Sequence, residues 1–480
     1  MEGSREPVTA EVTDEVGIRD LIRSLAGIRM LADDAGLIDQ LRDLEELKSA
    51  VAGLQARIAA TFDARQRQNQ AGTGPQAGLA MLTAEDLGKD RGKECRMDSA
   101  AQIALARGES PHRGGRLLGM ARALVSEMPH TLAALETGQL NEERATLIVR
   151  ETACLSAADR SAADEELAAD TGTFKGAGTR AIVAAARAAA IRRDSRSVAQ
   201  RASRAVSERS VSIRPAPDTM VYLTALLPVH EGIGVYTALT RHADSLRAAG
   251  DQRSRGQISA DTLVEWTTGT PGGISGVNVH LVMTDRTLFQ GDSEPARIAG
   301  YGVVPAAWAR SMVTGEQAGG DQELKAWVRR LYTAPGSGDL VAMDSRRRLF
   351  PAPLRRFIQI RDDTCRTPYC DAPIRHLDHI VPWHDDGPTR LGNGAGVCEA
   401  CNYTKEGPGW KAQPRSGPRH SIEIRTPTGH TYHSTAPPLP GAESDASNAE
   451  ACGGRRELRR HAKVRMRGRR VVGGHGALAA

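Results

Sequence analysis

Two pairs of cysteines toward the end of the chain have the spacing of a metal site. They are Cys365 and Cys370, four residues apart in the intervening chain, and Cys398 and Cys401, two residues apart. Two such pairs fit one tetrahedral zinc ion, and four thiolate ligands leave no position for a substrate. The alternative, free or redox-active cysteines, leaves the pairing unexplained. We expect a structural zinc that stabilises a segment too short to bury its own core.

An Asp-His pair lies between the two cysteine pairs. Residues 377–381, Leu-Asp-His-Ile-Val, alternate as a β-strand does, which places Asp378 and His379 on opposite faces. A bulge, a turn or the end of the strand could still bring both side chains to one site. Because histidine titrates near neutral pH, such a site could move protons.

Two asparagines follow in the same segment. Asn393 lies in a loop rich in Gly and Pro, and a helix is predicted from about Cys398 to the residue before Gly407. On that helix Asn402 is turned by about 100° from Cys401. Asn402 can therefore face the Asp-His strand while the cysteines face the zinc ion.

In this order the residues resemble the HNH nucleases, which are built on the ββα-metal motif. The matching set is Cys365 and Cys370, Asp378-His379-Ile380, Asn393, and Cys398-x-x-Cys401-Asn402-x-x-Lys405. The resemblance is specific as an ordered set, since each piece alone is common.

The resemblance implies a role for each of these residues. His379 is expected to be the general base that activates water, and Asp378 and Asn402 are expected to hold a catalytic divalent ion. Asn393 is expected to brace the loop that orients His379. Many family members have His where this chain has Asn402, and the Asn variant also occurs. Asp and Asn offer oxygen ligands, which suit Mg²⁺ or Mn²⁺.

Neighbouring residues allow two interpretations each. Two histidines could contact phosphate or lie on the surface, two tryptophans could stack on bases or pack the module, and four cations could contact phosphates. They are His376 and His384, Trp383 and Trp410, and Lys405, Arg355, Arg356 and Arg361.

The fold class predicted around this segment is mainly α with α+β parts. Apolar residues recur at helical spacing from 18 to 212, which predicts an antiparallel helical array. Ser110-Pro111 and Ser156-x-x-Asp159 indicate helix starts, and residues 70–78 indicate a loop. Residues 1–17 are expected to be disordered.

An α+β region is predicted over 213–345, because β-branched runs begin after Pro215. Strands are predicted over 220–229 and 277–284, helices over 235–248 and 258–266, and a hairpin over 329–344. The HNH nuclease module is predicted over 346–411, a strand and turn extension over 412–437, and a disordered basic tail over 438–480. Between 455 and 470 the tail holds nine Lys or Arg against one Glu, which favours a solvated tail or an arm on nucleic acid.

Most of the chain, residues 44–440, is similar to the actinobacterial 13E12 repeat family, in which a long helical region of unknown function precedes a C-terminal HNH module. The residues that carry the likeness are SPHRGGRLLGMARAL, ATLIVRETACLS, PAPDTMVYLTALLP, VMTDR and LDHIVPW. The resemblance predicts the architecture and leaves the role of the first three hundred residues open.

Charge and composition narrow the class of protein. The formal net charge of +5 suits a polyanionic partner, and neither a secretory signal nor a membrane-spanning run is present, so a cytoplasmic location is expected. We predict a metal-dependent HNH endonuclease that hydrolyses DNA, as a possible homodimer. The alternative is a noncatalytic zinc-stabilised protein that binds nucleic acid or regulates a partner, since such a protein needs only the cysteines.

Overall fold

The computed structural model describes residues 17–72, 98–170, 174, 176–269, 279–314 and 349–441. The predicted hairpin over 329–344 lies outside the described residues, as do most of the predicted loop over 70–78 and almost all of the N-terminal segment and the basic tail. The architecture is mainly helical with small sheets toward the C-terminus, which confirms the predicted fold class.

Within the described residues, the chain is entirely helical up to Ser207, and strands occur between and after the later helices. The helices are α1 (Ile18–Ala26), α2 (Asp34–Gly72), α3 (98–107), α4 (Pro111–Ser126), α5 (Pro129–Glu136), α6 (Glu142–Glu151), α7 (Ala157–Ala168), α8 (Thr179–Arg193), α9 (Ser195–Ser207), α10 (Val229–Ala248), α11 (Arg255–Thr268), α12 (Asp285–Phe289), α13 (Ala306–Thr314), α14 (Ala352–Asp362) and α15 (Glu399–Lys405). The strands are β1 (Ser210–Pro215), β2 (Val221–Leu226), β3 (Leu281–Val282), β4 (Ala296–Ile298), β5 (Gly302–Val304), β6 (His376–His379), β7 (Gly394–Val397), β8 (Lys411–Arg415), β9 (Ser421–Arg425) and β10 (Thr431–Thr435).

The chain divides into two compact units. The first comprises Met1–Ala77 and Arg116–Ser203, and the second comprises Gly78–Gly115 and Arg204–Ala480. The chain therefore enters the second unit, returns to the first and enters the second again. The predicted division near residue 212 assumed one helical region followed by a separate α+β region.

The first unit is a helical array around one apolar core. Leu124, Leu135, Ile148 and Ile182 are almost wholly buried in that core, together with many alanines that allow close helix packing. The N-terminus of α5 has no cap from its own chain segment. The carboxylate of Asp164 in α7 accepts the N–H groups of its first turn at 2.7 and 2.9 Å, which replaces that cap.

The predicted helix starts are present. Ser156 caps α7 by accepting the N–H of Asp159 at 3.1 Å. In the second unit Ser254 and Gln257 form a capping box at α11, so that helix begins before its apolar pattern does. The strand predicted over 277–284 is reduced, within the described residues, to the two-residue β3.

Helix α14 packs against the hairpin of β6 and β7. The apolar residues of its buried face are Leu354, Phe357 and Ile358. Gly394 permits the approach, because a Cβ at that position would come within 2.6 Å of the Ile358 side chain. Strands β6 and β7 pair antiparallel, with His379 opposite Gly394.

A buried carboxylate joins the end of α14 to this hairpin. Asp362 accepts hydrogen bonds from Arg361 Nε at 2.7 Å, Arg366 Nη1 at 2.9 Å and the N–H of Gly396 at 2.8 Å. Arg361 also donates to the main-chain oxygens of Leu391 and Gly394 at 3.0 and 2.7 Å. The network fixes β7 because each buried charge has its partners.

Strands β8, β9 and β10 form an antiparallel sheet beside the hairpin. Ile422 in β9 is buried with Ile380 and Ala395, so the sheet and the hairpin share one small core. The predicted strand and turn extension is thus a three-stranded sheet that packs directly on the predicted module.

Helix α3 packs on the same part of the second unit. Trp410 Nε1 donates to Asp98 Oδ1 at 2.6 Å, and Thr428 Oγ1 donates to Gln102 Oε1 at 2.8 Å. Burial raises the pKa of Asp98, and the hydrogen bond from Trp410 opposes that effect. Trp410 is therefore a packing residue in the structure. Among the described helices, none has the length and hydropathy that crossing a bilayer requires.

The ring of His420 is held in its neutral form in this unit. Nδ1 accepts from Arg366 Nη1 and Nε2 donates to the oxygen of Gly392, both at 3.2 Å. Burial, followed by the positive charge of Arg361, lowers the pKa of His420 to about 4. In an unfolded chain histidine titrates near 6.5, so the unfolded state binds this proton first as the pH falls.

We therefore expect the free energy of unfolding to fall by about 1 to 3 kcal/mol as the pH drops from about 6.5 to about 4. Above pH 7 this histidine contributes no pH dependence. Urea unfolding at several pH values, compared between the wild type and His420→Gln, isolates the effect, because acid release of a bound metal affects both proteins. Parallel pH profiles for the two would contradict the assignment.

Candidate functional site

The four predicted cysteines come together in the second unit. Their Sγ atoms lie within 4.8 Å of one another and all four residues are buried. The Sγ atoms of Cys370 and Cys398 are 3.8 Å apart. Four sulfur atoms around zinc at about 2.3 Å are separated by about 3.8 Å, so the cluster has the dimensions of a tetrahedral metal site.

Two short elements position these ligands. A tight turn after α14 carries the first pair, with the N–H of Cys365 donating to the oxygen of Ala372 at 2.9 Å. Cys398 is the N-cap of α15, and its Sγ accepts the N–H of Cys401 at 3.5 Å. In the part of the chain that the structure describes, this is the one group of three or more Cys, His, Asp or Glu placed to hold an ion.

The cluster favours a single thiolate, on Cys365. Hydrogen bonds from Cys370 and Cys401 lower the pKa of Cys365 far below its usual range. The same hydrogen bonds to Cys365 raise the pKa of Cys370 and of Cys401. A thiolate held by neighbouring thiols is the starting arrangement for binding a soft cation.

Asp378 and His379 are the last two residues of β6. Their closest ionisable atoms, Asp378 Oδ1 and His379 Nδ1, are 4.0 Å apart. The strand ends at His379, so its end brings the two groups near each other although strand alternation separates them. His379 is 6% exposed, whereas the Asp378 side chain is 31% exposed.

Several contacts hold the His379 ring. Its Nε2 lies 2.8 Å from Thr389 Oγ1, and Thr389 is itself buried. The ring packs against Phe350, with centroids 4.6 Å apart, and against Trp383 at 6.0 Å. The contact with Thr389 and the two aromatic rings therefore restrict the orientation of the imidazole.

Asn393 closes the loop that follows His379. Its side chain accepts the N–H of Val381 at 2.9 Å and donates to the oxygens of Val381 and Pro388, each at 3.0 Å. The main-chain oxygen of Asn393 accepts the N–H of Ile380 at 2.8 Å. Asn393 is 1% exposed and connects both ends of the loop that contains Thr389.

Helix α15 faces the end of β6. Lys405 Nζ donates to Asp378 Oδ2 and to the main-chain oxygen of His379, both at 2.6 Å, and pairs with Glu406 at 3.1 Å. Asn402 lies on the same helix, three residues before Lys405. Its Oδ1 is buried and has no hydrogen-bond partner.

The unsatisfied oxygen of Asn402 bears on the catalytic ion that the resemblance implies. A buried acceptor without a partner is costly, and such atoms in native structures call for a ligand or a water molecule. Asp378 and Asn402 supply oxygen donors, as hard divalent ions require. The donor set fits Mg²⁺ or Mn²⁺ with further oxygens from phosphate and water.

The other histidines and cations considered as phosphate contacts differ in their exposure to solvent. His376 and His384 are exposed, and Arg361 is buried in the Asp362 network, so it is a structural residue and not a phosphate contact. Sequence reasoning missed Thr389 and Asp362. Thr389 lies four residues before Asn393 on the same Gly-rich loop, and this short spacing was the signal that could have identified it.

Two family models match consecutive parts of the chain. Residues 63–362 match the model described as a domain of unknown function, DUF222, and residues 365–407 match the model described as HNH endonuclease. The predicted order, a largely helical region of unknown function before an HNH module, is confirmed.

The curated relatives match shorter stretches. The chain is 32% identical over 165 residues to the uncharacterized protein Rv3776 of Mycobacterium tuberculosis, covering 31% of this chain and 28% of that protein. It is 32% identical over 118 residues to the uncharacterized protein Rv2100 of the same organism, covering 21% of each chain. The chain thus spans less than a third of the length of these relatives. No solved structure matches it. Since one family model covers more than half of its residues, the chain belongs to the DUF222 family, with an HNH endonuclease domain after the family domain.

Proposed function

We propose that the protein is a metal-dependent endonuclease that hydrolyses DNA phosphodiester bonds at the end of β6. The observation that carries the proposal is the fixed ring of His379, held on Thr389 and 4.0 Å from the Asp378 carboxylate, in the segment that matches the HNH endonuclease model. The four-cysteine cluster is proposed to hold a structural zinc ion, which anchors α15 against β6.

His379 is the general base of the proposed reaction. Nε2 lies 2.8 Å from Thr389 Oγ1, and in the tautomer that we propose Nε2–H donates to this oxygen and the lone pair on Nδ1 removes a proton from the attacking water. The Asp378 carboxylate stabilises the imidazolium that results, because the two groups are 4.0 Å apart. Asn393 keeps the loop closed, so that Thr389 remains against the ring.

Asp378 and Asn402 would hold the divalent ion. When bound, that ion supplies positive charge next to the phosphate and the leaving oxygen. The Asn402 amide contributes a neutral oxygen and Asp378 a charged one, so the protein itself neutralises only part of the ion. The remaining charge complements the phosphodiester.

A plasmid-nicking assay with Mg²⁺ or Mn²⁺ tests the proposal. We expect His379→Ala to cut about 10² to 10⁴ times more slowly than the wild type, because general-base catalysis contributes that much. His376→Ala is the matched control: it removes an exposed histidine from the same strand and is expected to cut normally.

Equal cutting by His379→Ala and the wild type would refute the role of His379. A wild type that binds DNA but does not cut it in the presence of any divalent ion would refute the nuclease. The protein would then be a noncatalytic zinc-stabilised protein that binds nucleic acid. The ion pair of Lys405 with Asp378 favours that second candidate, because an ammonium group already neutralises the carboxylate.

A further inference from the structure

The sheet of β8, β9 and β10 has one polar and one apolar face. Ala412, Ile422 and Ile424 lie on the face that packs against the core containing Ile380. The opposite face carries charged and polar residues in register across the three strands. They are Lys411, Gln413, Arg415, Ser421, Glu423, Arg425, Thr431, His433 and Thr435.

Two cations lie directly opposite each other on the polar face. Lys411 in β8 is the register partner of Arg425 in β9, and both are exposed. Among the residues that the structure describes, neither has an ion-pair partner, whereas Arg415 on the same face pairs with Glu423 at 2.8 Å. Like charges opposite each other on antiparallel strands destabilise a sheet. An anion bound between them would remove that repulsion.

This cation pair lines a cleft next to the proposed catalytic residues. The cleft has a volume of about 420 Å³, and its walls are the loop from Ile380 to Asp385 on one side and strands β8 and β9 on the other. Ile380 directly follows His379. Lys405, Lys411 and Arg425 supply positive charge, and Asp385 and Glu423 supply negative charge, of which Glu423 is already paired with Arg415.

The connection between α15, which faces Asp378, and strand β8, which carries Lys411, is short. Strand β8 begins six residues after the end of α15, and the turn between them is closed by the N–H of Trp410 on the oxygen of Gly407 at 3.3 Å. The position of the cation pair relative to Asp378 is therefore set by the fold. Both family models end before β8, so neither covers these residues.

We propose that this cleft binds the phosphodiester backbone of DNA beside the scissile bond, with Lys411 and Arg425 as phosphate-binding residues. The inference rests on the proposed function, because it takes the end of β6 as the place of cutting. Two cations without acidic partners suit adjacent phosphates, and contacts to phosphate position a strand without reading its sequence.

Binding of a labelled DNA duplex tests the cleft without cutting. The His379→Ala protein is the parent, measured in Ca²⁺ over a series of KCl concentrations by fluorescence anisotropy. Adding Lys411→Gln and Arg425→Gln is expected to weaken binding roughly tenfold at low salt and to reduce the slope of log Kd against log salt by about 2.

The control variant removes two positive charges from another part of the same unit. Arg241→Gln with Arg247→Gln takes two exposed cations from α10 of the same unit and is expected to leave the affinity and the salt slope unchanged. Equal loss in both double variants, or no loss in the Lys411 and Arg425 variant, overturns the proposal.

Cleavage separates this inference from the proposed function. In the active protein the Lys411 and Arg425 variant is expected to have a raised KM and a kcat close to that of the wild type. Cutting with an unchanged KM would refute the phosphate-binding role of the cleft and would leave the proposed nuclease activity unaffected. Loss of DNA affinity in a protein that never cuts would support the cleft and refute the nuclease.

Discussion

Cys401→Ser is expected to abolish metal binding and to unfold the segment from 365 to 407. The four cysteines form a cluster of their own, with Val397 and Ala372 as their main apolar neighbours. That core is too small to replace a metal, and structural zinc supplies about 10 to 16 kcal/mol of apparent folding free energy in comparable small sites. Chelation of the wild type is expected to have the same result.

Mass spectrometry measures the zinc content, and thermal unfolding measures the loss of folded structure. The wild type is expected to hold one equivalent of zinc, and the variant none. Cys154→Ser is the matched control, since Cys154 is a free thiol in the first unit, away from any metal cluster that the described residues form. A Cys401→Ser protein that folds normally without zinc would contradict a structural role.

Asp362→Asn is expected to destabilise the second unit by about 3 to 5 kcal/mol, as is usual when one partner of a buried ion network is removed. The Asp362 side chain is fully buried, and Arg361 and Arg366 are almost fully buried against it. An amide keeps the shape and loses the charge, so two guanidinium groups remain without compensation. Urea unfolding measures the loss.

Asp363→Asn is the control for this substitution. Asp363 is the next residue, lies outside the buried network and accepts the N–H of Gly300 at 3.0 Å, which an amide oxygen can also do. It is expected to change stability by less than about 1 kcal/mol. Equal effects at both positions would show that the buried network contributes no special stability.

The same carboxylate has a defined pH signature. Burial raises the pKa of Asp362, but the charges of Arg361 and Arg366 outweigh it, and the pKa is lowered overall. A lowered pKa contributes stability above the ordinary carboxyl range near pH 4 and loses it as the pH falls further. This acid-linked loss is expected to be absent in Asp362→Asn.

Local patterns were enough to predict that the four cysteines come together. The cysteine spacing predicted one cluster, and the structure brings the four sulfur atoms to that arrangement. The helix predicted from about Cys398 is α15, because Cys398 caps it and Gly407 follows it. Both features depend on contacts between residues close in the sequence, which spacing and capping describe directly.

Long-range contacts were not predictable in this way. The Asp362 network joins α14 to β7 through charges that look like ordinary surface residues in the sequence. The sequence allows Lys405 as a phosphate contact, whereas the structure pairs its ammonium group with Asp378, which is 27 residues away. Neither pairing leaves a periodic signal, because each depends on how separate elements pack.

The contact of α3 with the C-terminal sheet sets an order of events during synthesis. Asp98 and Trp410 are separated by 312 residues. At roughly 5 to 20 residues per second, α3 leaves the ribosome about 15 to 60 s before its partner exists. In that interval Leu105 of α3, which lines a cavity together with Ile422 and Ile424, lacks these later partners. A nascent chain therefore completes the contact between α3 and the segment around Trp410 only after Trp410 has left the ribosome, and a chain that stops before that residue lacks the contact.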